Sequence, residues 1–315
     1  MRVAISFLCT DFHVLREHWK IHNSTKTHAG TNVGLGGAEP NKEGTEPFIG
    51  GKVIILDWPK MEVLWEMDID GAGGFSIQDN LLTVNNMRLN FVSQIDMQIK
   101  KEANRIHHSF FNCLHSLEKT DKGYLISSSG TDLIIEIDKN GKTLFEWWAT
   151  DQGYQTLPSG DTRIIKKDLP HDRYIYPTLC QTTHVNSATQ KGDLILATLF
   201  HQGELIEINK KTLQKKTLLT GLSCPHGVKK YDESFWTISD TKKNRVLLLD
   251  ENFKIKDEIV AGFDWVQDHC HTHNKTLLIA DANHHRVVEF CLATKSIVNE
   301  FKFSDEWRIY QVSVI

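Results

Sequence analysis

Four histidines recur at similar places in successive segments of the chain, each just ahead of an apolar, β-rich stretch. The second and third of them are 42 residues apart, and the third and fourth are 43 apart. A unit repeated radially brings its equivalent residues to one axis, so this spacing predicts a ring of imidazoles there. The histidines are His115, His184, His226 and His269.

A ring of imidazoles can bind a metal ion or transfer protons. Imidazole is the commonest metal ligand and the side chain best suited to proton transfer near neutral pH. We therefore predict that these histidines hold a divalent transition metal, with iron or copper favoured and zinc or manganese as alternatives. Ligation by nitrogen alone argues against calcium or magnesium, which prefer oxygen. Three further residues are assigned catalytic or substrate-binding roles: Asn186, His201 and His271.

The segments around these histidines contain short β-rich stretches in a regular order. Third stretches such as Leu133–Asp138 and Glu204–Asn209 end in polar residues, and Asn140-Gly141 is a strong hairpin signal. Four strands in a unit of about 40–45 residues are typical of a propeller blade. The first and last strands lack partners unless they join in one composite blade. The sequence thus predicts an all-β, six-bladed β-propeller with four-stranded antiparallel blades, closed by the N- and C-terminal strands.

Length and charge narrow the class of protein further. The repeats favour a single domain over residues 1–315, with long loop insertions at about 10–49 and 151–183. The formal net charge of −4 gives no electrostatic reason to bind nucleic acid or an anionic membrane. No apolar run reaches the ~18 residues of a membrane-spanning helix. The expected partner is therefore a small molecule.

The cysteines and the N-terminus bear on localisation. The six cysteines lack CxxC spacing, and the chain is too long to be a disulfide scaffold. The apolar stretch at 2–9 is too short for a secretory signal and is predicted to be a strand. We expect a cytoplasmic protein.

Some of these stretches resemble those of one propeller family. The stretches are Ile134-Ile135-Glu136-Ile137-Asp138-Lys139-Asn140-Gly141, Phe145-Glu146-Trp147-Trp148, His184-Val185-Asn186-Ser187 and Phe200-His201-Gln202-Gly203. Their order is similar to that in the PAPS-independent arylsulfotransferase-like six-bladed β-propellers. The resemblance implies a six-bladed propeller and a histidine that takes up a sulfuryl group, with His226 as the nearest match and His269 as the alternative. Phe200 replaces the family's arginine, although transfer of an anionic group needs such a cation.

These observations leave three functional hypotheses. The first is a metal-dependent oxidoreductase or lyase that acts on a small organic substrate at the histidine ring. The second is a sulfuryl or other group transferase with a histidine nucleophile. The third is a noncatalytic propeller that binds a ligand or a protein on its loop-rich face. In that third case the histidines would only close the mouth of the channel.

Overall fold

Six sheets of four antiparallel strands surround one axis in the computed structural model of this protein. The structure describes residues 1–24, 49–174 and 176–315. Five of the sheets take their strands in chain order, and the sixth joins the two ends of the chain. The predicted six-bladed, all-β propeller is confirmed.

The inner half of each blade consists of an axial strand and its first neighbour. The axial strands are β24 Arg308–Val314, β4 Ala72–Gln78, β8 Leu114–Lys119, β12 Val185–Lys191, β16 His226–Lys230 and β20 Val266–His271. The second strands are β1 Arg2–Cys9, β5 Leu81–Asn86, β9 Gly123–Ser128, β13 Leu194–Leu199, β17 Phe235–Asp240 and β21 Thr276–Asp281.

The outer half of each blade differs from the inner half in burial. Third strands such as Leu133–Asp138 are almost wholly buried, whereas the outermost strand Ser296–Lys302 alternates between exposed and half-buried residues. The third strands are β2 Lys52–Asp57, β6 Phe91–Asp96, β10 Leu133–Asp138, β14 Glu204–Asn209, β18 Arg245–Asp250 and β22 Arg286–Cys291. The outermost strands are β3 Glu62–Asp68, β7 Lys101–Ile106, β11 Thr143–Trp148, β15 Lys215–Leu219, β19 Ile255–Ile259 and β23 Ser296–Lys302.

The composite blade closes the ring as the sequence predicts. β24 pairs antiparallel with β1, so that Val3 lies opposite Val314 and Ile5 opposite Val312. The Ser6 hydroxyl then donates a hydrogen bond of 2.8 Å to the Gly73 carbonyl in the next blade. Because the two chain ends share one sheet, the C-terminal strand is held in register at the axis.

The hydrophobic core lies between adjacent blades. Trp147 of one blade, for example, packs in a buried cluster with Val185, Ile195 and Ile206 of the next. The middle strands are covered on both faces in this way, which explains their continuous apolar runs. The rigid stack of blades fixes the axial strands relative to one another.

Both insertions contain short helical segments among their described residues. The first was predicted as a loop, but Phe12–Ser24 forms helix α1, whose start is capped by Asp11 accepting from the Val14 amide. The rest of that insertion, residues 25–48, lies outside the described residues. The second insertion contains short 3-10 turns at His171–Arg173 and Thr178–Cys180. Of the helices that the structure describes, none combines the length and apolar character needed to cross a bilayer.

Candidate functional site

The strand registers show which axial residues are truly equivalent. Leu117, Ala188, Val228 and His269 pair with corresponding residues of their second strands, namely Ile126, Ala197, Ile238 and Ile279. The residues two positions before them therefore form one set around the axis. We call this set the axial ring: Gly73, His115, Asn186, His226, Gln267 and Tyr310.

The expectation that all four histidines are equivalent is corrected by this register. His115 and His226 belong to the axial ring. His184 lies two residues before the ring residue Asn186, and His269 lies two residues after the ring residue Gln267. The repeat spacing alone could not show this difference.

His269 does not reach the axis. It is fully buried, and both of its ring nitrogens bond hydroxyls of the adjacent blade, Ser239 and Thr237, each at 2.8 Å. The bulge in β20 between Val266 and Asp268 sets which residues face inward, because adding one residue turns the following side chains to the other face. Of the two histidines that the resemblance offers as a nucleophile, His226 lines both of the cavities described below, and His269 is in the wall of neither.

His184 reaches the axis from the turn before its strand. It adopts a left-handed conformation with φ of 49°, which is rare for a residue with a side chain. The Asp132 carboxylate fixes this turn by accepting from the amides of Thr182, Thr183 and His184 at 2.8, 2.7 and 3.0 Å. Asp132 is itself paired with the buried Arg163 at 2.6 Å. Its role is to position His184.

Backbone carbonyls set the tautomers of His115 and His226. The Nδ1 atom of His115 lies 2.9 Å from the Cys113 carbonyl, and that of His226 lies 2.9 Å from the Cys224 carbonyl. A carbonyl can only accept, so both Nδ1 atoms carry the proton. Each Nε2 atom is left with its lone pair.

The tautomer of His184 is set by an amide side chain. The Gln181 amide nitrogen donates to the Tyr176 carbonyl at 2.6 Å, which turns its oxygen toward His184 Nδ1. That Nδ1 is therefore protonated as well. Within the part of the chain that the structure describes, no hydrogen-bond partner lies at Nε2 of His115 or His226, whereas the Asn186 side chain lies within hydrogen-bonding reach of His184.

Burial keeps the three imidazoles neutral. It lowers the pKa of His115 to about 4 and that of His226 to about 3, because an imidazolium loses its hydration there. The pKa of His184 is held well below its usual value, first by burial and then by the neighbouring His115. The ring centroids of His115 and His184 are 4.4 Å apart in an edge-to-face contact. All three are neutral at physiological pH.

Two cavities meet at the axial ring. We call the larger one, on the side of His184, the upper cavity; it has a volume of about 510 Å³ and includes Phe200 and Trp265 in its wall. The lower cavity, on the side of Glu118, has a volume of about 320 Å³. Their shared lining is His115, His226, Gln267 and Tyr310.

The three predicted catalytic residues lie in different places. Asn186 is in the axial ring, where its amide donates to the Pro225 carbonyl and its side chain lies within hydrogen-bonding reach of His184. His201 donates through Nε2 to the Thr178 carbonyl at 2.9 Å and so supports a loop. His271 bonds the Thr237 hydroxyl between blades. The structure thus brings together His115, His184, His226 and Asn186, and it places His201 beside His184 with ring centroids 5.9 Å apart. His269 and His271 face the adjacent blade instead.

The predicted metal site can be compared with the side chains that could act as metal ligands. Within residues 1–24, 49–174 and 176–315, no three His, Cys, Asp or Glu side chains are grouped so that they could hold one metal ion. The predicted four-histidine ligand set is not assembled, because His269 faces the adjacent blade. Metal dependence stays a prediction.

Sequence reasoning missed four residues that line the upper cavity. Tyr310 occupies the ring position of the composite blade, and Gln267 occupies that of the blade formed by β20 to β23. Trp265 and Arg308 lie two residues before them, at the position of His184. The registers of β20 and β24, aligned with those of the other axial strands, are the signal that places these residues.

Comparisons with known proteins give the fold. No protein-family model matches the chain, and none of the curated proteins does. A protein of unknown function from Bacteroides caccae is 14% identical, with a TM-score of 0.62 over 83% of this chain and 93% of that one. A chain of a nidogen/laminin complex is 12% identical, with a TM-score of 0.60 over 83% and 94%. Virginiamycin B lyase from Staphylococcus aureus is 12% identical, with a TM-score of 0.53 over 76% and 73%.

At these identities the likeness shows the fold alone. It agrees with six blades around an axis. The resemblance to arylsulfotransferase-like proteins is therefore supported only at the level of the six-bladed propeller.

Proposed function

We propose that this chain is an enzyme of lyase type, which acts on a small organic substrate in the upper cavity and uses His226 as the proton acceptor. The observation that carries the proposal is the trio of neutral imidazoles, His115, His184 and His226, in the wall of one cavity. Each has Nδ1–H fixed by an acceptor, and Nε2 of His115 and of His226 has no partner among the described residues.

The chemistry follows from these lone pairs. A lyase base takes a proton from a carbon atom, the electron pair forms a double bond, and a leaving group departs from the neighbouring carbon. His226 can accept at neutral pH because its Nε2 is unprotonated. A substrate that carries negative charge beside the imidazole would raise its pKa by favouring the imidazolium. One solved structure of similar fold is a lyase, virginiamycin B lyase.

A panel of small aromatic compounds tests the proposal. Each member carries a leaving group on the carbon β to a carboxylate or an amide, so that elimination forms a conjugated double bond with ultraviolet absorbance. We expect turnover of at least one member, and we expect His226→Gln to lower kcat/KM by about 10²–10⁴-fold.

The control is His107→Gln, because His107 is exposed and lines neither cavity. It should turn over the panel like the parent protein. Failure of the parent protein on the whole panel, or equal rates in His226→Gln and the parent, would count against lyase chemistry.

A metal-dependent form of this enzyme is the second candidate. Histidines that bind metals usually donate their other ring N–H to a carbonyl, as His115 and His226 do here. His115 and His226 would supply ligands, with iron or copper favoured, and a third donor would have to move into range, since no three such side chains among the described residues are grouped around one point. Elemental analysis of untagged protein purified without chelator should then find about one equivalent of metal, and His115→Gln should lose it. Substoichiometric metal with no activity gained on reconstitution would dismiss this form.

A further inference from the structure

Arg308 is a buried cation in the wall of the upper cavity. It is the first residue of β24, and only 8% of its surface is exposed. Its guanidinium donates a hydrogen bond to the Asn283 side-chain oxygen. A guanidinium offers five N–H donors, so most of the donors of Arg308 remain for another acceptor.

The charge of Arg308 has no close partner in the described part of the chain. None of the ion pairs there includes Arg308, and the acidic groups that act on it are first the Cys9 thiol and then the exposed Asp264 carboxyl. Burial is the largest effect on this group and lowers its pKa to about 10. Arg163, which is also buried, contrasts with it by pairing with Asp132 at 2.6 Å. An unpaired buried charge is costly and tends to mark a site.

Aromatic rings hold the guanidinium in place. Its central carbon lies 5.3 Å from the ring centroid of Phe12 and 5.9 Å from that of Trp265. These contacts are in the range of cation–π interactions, which stabilise a cation without neutralising it. The positive charge is therefore oriented and retained.

The rest of the upper cavity is suited to an apolar body. Phe200, Trp265 and Tyr310 provide aromatic surface, and Leu8 and Met87 add aliphatic surface. A volume of about 510 Å³ is within the usual range for small-molecule sites. Such a wall favours an aromatic or aliphatic group beside the charge.

We infer that the upper cavity selects an organic carboxylate, whose carboxylate group pairs with Arg308 and whose apolar body lies against Trp265 and Phe200. This inference rests on the proposed function, since it names the substrate class of the same cavity. It also places the negative charge of the substrate in the cavity that His226 lines. A planar guanidinium matches a carboxylate through two parallel hydrogen bonds.

Three isosteric probes test the inference by calorimetry: 2-naphthoate, 2-naphthamide and 2-naphthylmethylammonium. The parent protein should bind 2-naphthoate about 30-fold or more tightly than the amide, and it should reject the cation. Arg308→Gln should lose that preference, and Arg308→Lys should keep part of it. Arg245→Gln, which alters an arginine paired with Asp240 and Glu258 away from the cavities, should bind like the parent.

Equal affinity of the parent protein for the naphthoate and the amide would overturn the inference, as would full naphthoate affinity in Arg308→Gln. If Arg308→Gln fails to fold, the comparison of probes on the parent protein still decides. None of the probes has a leaving group, so binding is measured apart from turnover. Naphthoate binding without any turnover on the lyase panel would refute the proposed reaction and leave the carboxylate site standing.

Discussion

Asp132→Asn will lower the free energy of unfolding by about 3–5 kcal/mol, the usual cost of leaving one partner of a buried ion pair without the other. Arg163 is only 3% exposed and would lose its counter-charge. The amides of Thr182 and His184 would lose a carboxylate acceptor. Asparagine tolerates the left-handed conformation that residue 132 adopts, so backbone strain does not cause the expected loss of stability. For a chain of this length the melting temperature should fall by about 5–8 °C.

A double-mutant cycle gives the mechanism of that loss. Arg163→Gln in the Asp132→Asn background removes the buried guanidinium that has lost its partner. The double variant should therefore be more stable than the summed losses of the two single variants predict. Asp138→Asn serves as the control, since Asp138, at the far end of the strand β10 that follows Asp132, accepts only from nearby amides of an exposed turn. Strict additivity in urea unfolding, or an equal loss in Asp138→Asn, would show that the ion pair does not hold the turn before His184.

The number of blades could be predicted because it depends on local signals. The apolar stretches, the Asn140-Gly141 turn and the near-constant spacing of His184, His226 and His269 all reflect one blade after another. The closure followed because the strands at the two chain ends had no other partner. The turns and spacings involve residues that are close in sequence, and the closure depends on the number of strands. The sequence alone gives both.

Which side chains form the site could not be predicted from the sequence in the same way. Each axial strand contains a bulge, as between Leu114 and Leu117 or between Val266 and Asp268. One extra residue reverses which side chains face the axis, and no residue type marks its place. His269 was therefore assigned to the axis although Asp268 and Cys270 line the lower cavity.

Arg308 was missed for a different reason. Its importance comes from what surrounds it, a cavity wall without a described carboxylate partner, and from its burial. A single arginine among scattered basic residues gives no such signal in the sequence. Long-range placement decides whether a charge is solvated or available to a ligand.

The protein should lose stability as the pH falls from about 6.5 toward 4, and His271 should account for part of that loss. Burial, followed by the charge of Lys229, lowers the pKa of His271 to about 4. The unfolded chain then takes up a proton near pH 6.5 that the folded protein refuses, so the contribution present above that pH is lost on acidification. The difference amounts to at most about 3 kcal/mol. Thermal unfolding of the parent protein and of His271→Gln across this range measures it.

Three carboxyl groups act against this loss of stability at low pH. Burial raises the pKa of Glu118 to about 6 and also raises that of Asp268, so both carboxyls add stability as the pH falls. The charge of Asp232 acts on His271 in the direction opposite to Lys229. His271→Gln should flatten the acid slope, whereas His273→Gln, at an exposed position two residues later, should leave it unchanged. If His271→Gln keeps the acid slope of the parent protein, the acid sensitivity arises from other groups.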